Sequence, residues 1–255
     1  WMDRAKTCIG VRINALDTGL AEEDIKQISV GAPDFVMLPK VESAEEVATT
    51  SELLDLAEDL AGIPRGTIRI LVTVETPLGV VRAHEIATSS RRVVGIGFGA
   101  EDFRASMQLA PTEHGQELLF AKSMVAISSR AAGVAAYDTV YSNLSDDDGF
   151  LTDTERSKEL GFSGKFAIHP AQVSVINSVF SPSAEEVENA RKVVEAYEAA
   201  LKEGVGVVRV DGKMVDEPIV MKSYKILAAA EGRREAARTD MPEKTAKRPD
   251  RPRVA

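Results

Sequence analysis

The 255-residue sequence has little of what several classes of protein require. Cys8 is its only cysteine, so no internal disulfide can form, which is typical of a reducing compartment. It has no run of 18 or more apolar residues and no charged-then-apolar leader, so we expect neither a membrane-spanning helix nor a secretion signal. The net charge of −9 argues against a general surface for nucleic acid or anionic membrane. We therefore expect a cytoplasmic protein.

Short apolar runs recur along the chain. They are rich in Val and Ile and continuous rather than alternating, which is typical of parallel strands covered by helices. Successive runs end roughly 25–40 residues apart, enough for one strand, one helix and two loops. The six runs are 8–14, 34–38, 67–75, 93–98, 135–141 and 165–168. The sequence therefore predicts an α/β fold with six strand–helix units.

Six units fit two architectures, and periodicity alone does not choose between them. One is an open, doubly wound sheet, and the other is a TIM-like (β/α) barrel that lacks two of its eight units. Helix signals fill the gaps: Ser43 and Glu46 form a capping box, and Ser183 and Glu186 repeat it before an apolar stripe at helical spacing. Residues 231–255 are charged and contain proline without an apolar period, which predicts a disordered tail.

Polar side chains follow the predicted strands, at the edge where α/β proteins assemble their active sites. Arg12 lies in an otherwise apolar strand, where its planar guanidinium group suits a substrate carboxylate or phosphate. An internal ion pair with Asp17 or Glu42 is the alternative for this arginine. Lys40 follows the next strand, ahead of the capped helix, where a solvated surface lysine is the commoner case.

Two carboxylates follow neighbouring predicted strands. Glu75 closes the most hydrophobic one, where a carboxylate must be hydrogen-bonded, ion-paired or bound to metal. Asp102 follows the next strand after a glycine-bearing turn, so the two side chains could converge. Without a cluster of His or Cys, such a pair suits a hard ion such as Mg²⁺ and disfavours zinc, with purely structural carboxylates as the alternative. His169 could either orient a loop or move protons.

Six stretches of the chain, in order from about residue 8 to residue 230, resemble the citrate lyase beta subunit and malyl-CoA lyase family of the HpcH/HpaI aldolase/citrate lyase superfamily. No single stretch is decisive, but their common order makes the match strong. The stretches are Val11–Ala15, Met37–Ser43, Val74–Thr76, Gly99–Asp102, Ile168–Gln172 and Asp211–Asp216.

The resemblance implies the roles of several residues. Glu75 and Asp102 are expected to ligate Mg²⁺, and Arg12 is expected to bind the carboxylate of an α-keto acid. Asp216 of a neighbouring subunit is expected to act as the acid–base group, so the protein would work as a homo-oligomer, a trimer or a hexamer. Four further residues match family positions and are expected to contact the substrate: Lys40, Gly99, Ala100 and His169.

The resemblance also implies how the chain is organised. The barrel core is expected over 1–205, without its first two strand–helix units, which accords with the unusual opening Trp1-Met2 and predicts a truncated chain. Residues 206–230 are expected to form a C-terminal extension that packs on a neighbouring subunit. The tail over 231–255 completes the chain.

The implied reaction is Mg²⁺-dependent cleavage of a carbon–carbon bond in a β-hydroxyacyl-CoA of the citryl-CoA or malyl-CoA type, giving an α-keto acid and an acyl-CoA. Hydrolysis of malyl-CoA, a malate-synthase-like condensation and an aldolase reaction on free acids are alternatives at the same site. A non-catalytic barrel remnant that binds a partner is an alternative from another class. The expected partners are a CoA thioester and an α-keto acid, with neither nucleic acid nor a membrane.

Overall fold

The computed structural model describes residues 7–112, 115–202 and 207–230. The chain divides into two compact units, of which the first ends at Phe180 and the second begins at Ser181. Each unit has its own hydrophobic core. None of the helices in the described ranges is long and apolar enough to cross a membrane.

The first unit contains a parallel sheet whose strands follow the chain in order. Each strand pairs with its neighbours in sequence, without the reversal of order that defines a doubly wound sheet. The described strands instead curl into a half-barrel with helices, which confirms the TIM-like (β/α) architecture and excludes the open sheet. The strands are β1 Gly10–Arg12, β2 Phe35–Leu38, β3 Arg69–Val74, β4 Val93–Phe98, β5 Ala135–Asp138 and β6 Gly164–Lys165.

Helices connect the successive strands. The predicted capping box is present at the second of them: the Glu46 N–H donates to the Ser43 hydroxyl over 3.3 Å, and the Glu46 carboxylate accepts the Ser43 N–H over 2.9 Å. Gly62 ends this helix with a φ of 70°. The helices are α1 Ala21–Ser29, α2 Ala44–Ala61, α3 Pro77–Val81, α4 Ala83–Thr88, α5 Ala100–Met107, α6 Leu119–Ala132, α7 Asp147–Glu159 and α8 Pro170–Phe180.

Side chains along each strand alternate between two faces of the sheet. Val36, Ile70 and Ile96 point toward the helices and are completely buried in the main hydrophobic core. On β3 the opposite, inner face carries Thr73, and Glu75 continues that face just beyond the strand. The alternation therefore decides that Glu75 belongs to the inside of the half-barrel rather than to the helix layer.

Strand β4 presents glycine to the inner face at alternate positions. A Cβ atom at Gly95 would lie 3.0 Å from the Tyr137 ring, and one at Gly97 would lie 2.7 Å from the Phe166 ring. The two rings stack with centroids 6.0 Å apart. The glycines thus leave the space in which aromatic side chains from the neighbouring part of the sheet fill the inner face.

The second unit is a helix, a β-hairpin and a helix. Asp211 and Gly212 both have positive φ, 47° and 78°, which is the conformation of a two-residue type I′ hairpin turn. The predicted second capping box is present, since Ser183 donates its N–H to Glu186 over 2.8 Å and accepts the Glu186 N–H over 3.1 Å. The elements are α9 Ala184–Lys202, β7 Val208–Val210, β8 Lys213–Val215 and α10 Glu217–Ala230, around a core of Val193, Val194, Val215 and Val220.

The predicted domain limits stay predictions, because packing on a neighbouring subunit involves a second chain. Packing of residues 206–230 on a neighbouring subunit stays a prediction, and so does the limit of the barrel core at residue 205. The tail predicted to be disordered, 231–255, lies outside the described residues, as does the opening Trp1-Met2.

Candidate active site

Glu75 and Asp102 meet at the carboxyl edge of the sheet. Glu75 follows β3 directly and is 5% exposed, whereas Asp102 lies in the first turn of α5, immediately after β4. Because β3 and β4 are paired parallel neighbours, their carboxyl ends bring both side chains to one edge. The two carboxyl groups lie close enough for each to shift the pKa of the other.

Gly99 leaves the space that the Glu75 side chain occupies. A Cβ atom at this position would lie 2.7 Å from Glu75 Cγ and 2.7 Å from Glu75 Oε2, closer than real Cβ contacts. The backbone of Gly99 has an ordinary extended φ of −103°, so the need for glycine here is steric rather than conformational. Its predicted contact with substrate stays a prediction.

Lys40 contacts both carboxylates. Its backbone N–H donates to Glu75 Oε1 over 3.2 Å, and its ammonium Nζ lies 3.3 Å from Asp102 Oδ1. The residue has a φ of 55°, in the left-handed region that is uncommon for a residue other than glycine. Non-glycine residues in this conformation occur at functional sites, where the surroundings hold the strained backbone in place.

Arg12 ends β1 and is exposed at the same edge. Its positive charge acts on both Glu75 and Asp102. It lines a cavity of about 470 Å³ together with Asn14, Asp17, Thr18, Pro39 and Lys40, among others. None of the ion pairs within the described ranges joins Arg12 to Asp17 or Glu42, so the guanidinium group faces the cavity without the internal partners considered for it.

The two carboxyl groups compete for one proton, and their pKa values are shifted in opposite directions. Burial, followed by the hydrogen bond with Asp102, raises the pKa of Glu75 to about 7. The hydrogen bond from Glu75, together with the hydrogen bond and charge of Lys40, holds the pKa of the more exposed Asp102 below its usual value. The proton therefore belongs on Glu75, and the neighbouring Asp102 stays ionised.

The raised pKa of Glu75 makes an expected contribution to stability. The folded chain binds a proton at Glu75 up to a pKa of about 7, whereas the unfolded chain releases it near 4.5. Because the folded state then holds more protons, this carboxyl should lower the free energy of unfolding as the pH rises from about 5 to about 7, by on the order of 2 kcal/mol.

Urea unfolding at both pH values, with divalent metal removed by a chelator, measures this contribution. The unsubstituted chain should lose more stability across the window than the Glu75→Gln variant, which cannot titrate there. Equal losses in the two proteins would contradict the assignment of the proton to Glu75.

The remaining predicted residues have other hydrogen-bond partners. The Ala100 N–H donates to Thr139 Oγ1 over 3.2 Å. His169 is exposed just before α8, and its Nδ1 accepts the Ala171 N–H over 3.2 Å, which suits the orientation of a loop. Asp216 belongs to the second unit, where its carbonyl oxygen accepts N–H groups in the first turn of α10. Their roles stay predictions.

Thr139 is a residue of this edge that the sequence reasoning missed. It follows β5, is 7% exposed, and its hydroxyl fixes the start of α5 through Ala100. Thr139 lies within the predicted strand run 135–141, but it was not among the predicted site residues. The available signal was its position as a polar residue at the end of a predicted strand, the same criterion that selected Glu75.

The chemistry of the donor set fits a magnesium ion. Within the described residues no group of three or more His, Cys, Asp or Glu side chains could hold a metal. Mg²⁺ keeps several water molecules and is bound through one or two carboxylates plus oxygens of the substrate, so the pair of Glu75 and Asp102 meets its requirement. The space beside Gly99 allows the Glu75 carboxylate to lie at this edge.

The sequence matches known proteins over most of its length. The family described as HpcH/HpaI aldolase/citrate lyase matches residues 2–170. Citrate lyase subunit beta of Leuconostoc mesenteroides subsp. cremoris is 40% identical over 229 residues, which cover 90% of this chain and 76% of that protein. The (3S)-malyl-CoA thioesterase of Cereibacter sphaeroides is 32% identical over 221 residues, covering 87% and 73%.

A solved structure shares the fold. Protein CitE from Mycobacterium tuberculosis, crystallised in complex with magnesium, acetoacetate and coenzyme A, has a TM-score of 0.69 and 30% identity, covering 91% of this chain and 80% of that one. The chain has a barrel-type sheet with acidic residues at its carboxyl edge, and its relatives are named as lyases. These observations together identify a lyase enzyme. The chain belongs to the HpcH/HpaI aldolase/citrate lyase family and is similar to citrate lyase beta subunits.

Proposed function

We propose that the chain is a Mg²⁺-dependent lyase that cleaves a β-hydroxyacyl-CoA into an α-keto acid and an acyl-CoA. The observation that carries this proposal is the convergence of Glu75 and Asp102 at the edge that also presents Lys40 and Arg12. Two oxygen ligands for a hard cation beside two positively charged side chains suit a substrate with several negative charges. The name of the Leuconostoc relative supports the reaction class.

Glu75 and Asp102 would hold the metal ion in this proposal. Bound Mg²⁺ supplies Lewis acidity to the hydroxyl and carboxylate oxygens of the substrate. Glu75 has to release its proton before it can act as a ligand, because a metal ligand is needed in its deprotonated form. The M. tuberculosis protein crystallised with magnesium supports this assignment.

The remaining roles follow from charge and position. Arg12, exposed at the cavity, would bind the carboxylate that becomes part of the α-keto acid, through paired N–H donors. During cleavage the hydroxyl loses its proton, the bond between the carbinol carbon and the thioester α-carbon breaks, and that α-carbon takes up a proton. We assign the acid–base role to Asp216 of a neighbouring subunit, and with it a trimeric or hexameric cytoplasmic enzyme.

Product analysis tests the proposal. The chain is incubated with citryl-CoA, malyl-CoA, citramalyl-CoA and the corresponding free acids, with Mg²⁺ or with a chelator. We expect an α-keto acid and an acyl-CoA in equal amounts from at least one thioester, no reaction of the free acids, and no products with the chelator. Keto acid from a free acid would indicate an aldolase instead, and Mg²⁺ binding without turnover of any substrate would favour the non-catalytic remnant.

Hydrolysis of the thioester is a second candidate function. It is favoured by the 32% identity to the (3S)-malyl-CoA thioesterase of Cereibacter sphaeroides. Hydrolysis releases free coenzyme A and the intact hydroxy acid, whereas cleavage leaves the coenzyme A esterified. A thiol assay on the same incubations separates the two reactions, because only hydrolysis produces a free thiol in proportion to substrate consumed.

A further inference from the structure

The Lys40 side chain lies against the proposed metal ligands, which a role in substrate binding alone does not explain. Its ammonium Nζ lies 3.3 Å from Asp102 Oδ1, in direct contact with a carboxylate that the proposed function assigns to the metal. Its own backbone N–H bonds to Glu75 Oε1 over 3.2 Å, so the residue is fixed against the other proposed ligand as well. Lys40 thus places a positive charge beside both proposed metal ligands.

A divalent cation and this ammonium group compete for the same oxygen. Both are positively charged, and a carboxylate oxygen that accepts one at contact distance is electrostatically less available to the other. The side chains of Lys40 and Asp102 are 50% and 48% exposed, so the ammonium group can move away without leaving a buried charge behind. The Lys40 backbone, held in its left-handed conformation, does not need to move with it.

We propose that the Lys40 ammonium group substitutes for the divalent cation at Asp102 when the cation is absent, and that the cation has to displace it in order to bind. The displaced ammonium group turns toward the cavity shared with Arg12, where it meets the anionic substrate. Lys40 therefore acts through Asp102, and its ammonium group weakens metal binding to the free enzyme. This inference rests on the proposed function, because it takes Glu75 and Asp102 as the metal ligands.

Calorimetric titration of Mg²⁺ into the full chain tests this inference without measuring activity. The titrations are done at pH 8, above the pKa of about 7 of Glu75, so that its proton does not limit binding. The Lys40→Met variant keeps the length of the side chain and the backbone N–H but loses the charge. Lys40→Arg keeps the charge. Lys26→Met removes the same charge from the exposed face of α1 and controls for the change in net charge.

We expect Lys40→Met to bind Mg²⁺ about three- to tenfold more tightly than the unsubstituted chain at about 0.05 M salt, and Lys40→Arg and Lys26→Met to stay within about twofold of it. The advantage of Lys40→Met should shrink at about 1 M salt, because salt screens a repulsion between exposed charges but not a change in packing. Binding by Lys40→Met alone, with none by the unsubstituted chain, would support the same conclusion.

Two results would overturn the inference, and they are distinguishable. If the unsubstituted chain binds Mg²⁺ and Lys40→Met binds it equally or more weakly, the competition is wrong while the metal assignment stands. If neither protein binds Mg²⁺, the metal site itself is wrong and the inference falls with it.

Discussion

Replacing Glu75 by glutamine should abolish Mg²⁺-dependent cleavage, with kcat/KM reduced by more than about 100-fold. The amide keeps the size of the side chain and an oxygen that can accept the Lys40 N–H, but it lacks the negative charge that a hard cation requires. Asp102→Asn should have a comparable effect, because both carboxylates are proposed ligands of the same ion. Calorimetry should show the loss of Mg²⁺ binding in parallel with the loss of activity.

The fold of the Glu75→Gln variant is expected to remain intact. Its melting temperature should equal or exceed that of the unsubstituted chain, since a buried carboxyl has been replaced by a neutral group. Glu85→Gln, an exposed substitution on α4, removes the same charge away from the edge and should leave activity unchanged. Full activity in Glu75→Gln would remove this residue from the metal site.

The convergence of the two carboxylates could be predicted because it depends on local signals. Both Glu75 and Asp102 follow strongly apolar runs, and consecutive parallel strands with helical connections place their carboxyl ends at one edge. The predicted strands of the first unit were right in number and order. β4 has the predicted bounds 93–98, and the other observed strands are shorter than predicted. The last run, predicted over 165–168, is a two-residue strand at Gly164–Lys165.

Other features of the site could not be predicted because they depend on contacts between distant segments. Nothing near Lys40 in the sequence indicates a left-handed backbone, which is held by a hydrogen bond to Glu75 from another strand. The sequence predicts that Gly97 and Gly99 allow a tight turn of the backbone, whereas glycine is needed there because the Phe166 ring and the Glu75 side chain occupy the adjacent space. The choice between barrel and open sheet likewise required the observed strand order.

A buried ionic cluster on the helix side of the sheet was not predicted from the sequence. Asp138 ends β5 and is completely buried, and its Oδ2 accepts hydrogen bonds from Lys122 over 3.0 Å and from Lys165 over 2.9 Å. The hydroxyl of Ser157 also donates to this oxygen. Burial alone would raise the pKa of Asp138, but the two ammonium groups hold it below its usual value. Asp153, partly exposed, contacts both lysines.

Asp138→Asn should therefore destabilise the first unit strongly, costing about 3–5 kcal/mol in the free energy of unfolding. The amide has nearly the same volume, so no cavity forms. The substitution removes the negative charge that lies between Lys122 and Lys165. The Lys165 side chain is completely buried. Urea unfolding followed by circular dichroism measures the change, and Glu155→Gln on the exposed face of α7 should alter it by less than about 0.5 kcal/mol.

A triple variant separates lost charge balance from lost hydrogen bonds. In Asp138→Leu with Lys122→Met and Lys165→Met, every hydrogen bond to the Asp138 side chain is gone, yet neither buried lysine remains to lack its negative partner. Since hydrophobic replacement of a whole buried ionic group is often neutral or stabilising, most of the stability lost in Asp138→Asn should return. If the triple variant is instead as unstable as Asp138→Asn or less stable, the hydrogen bonds themselves, and not the uncompensated ammonium groups, hold β5 and β6 to their helices.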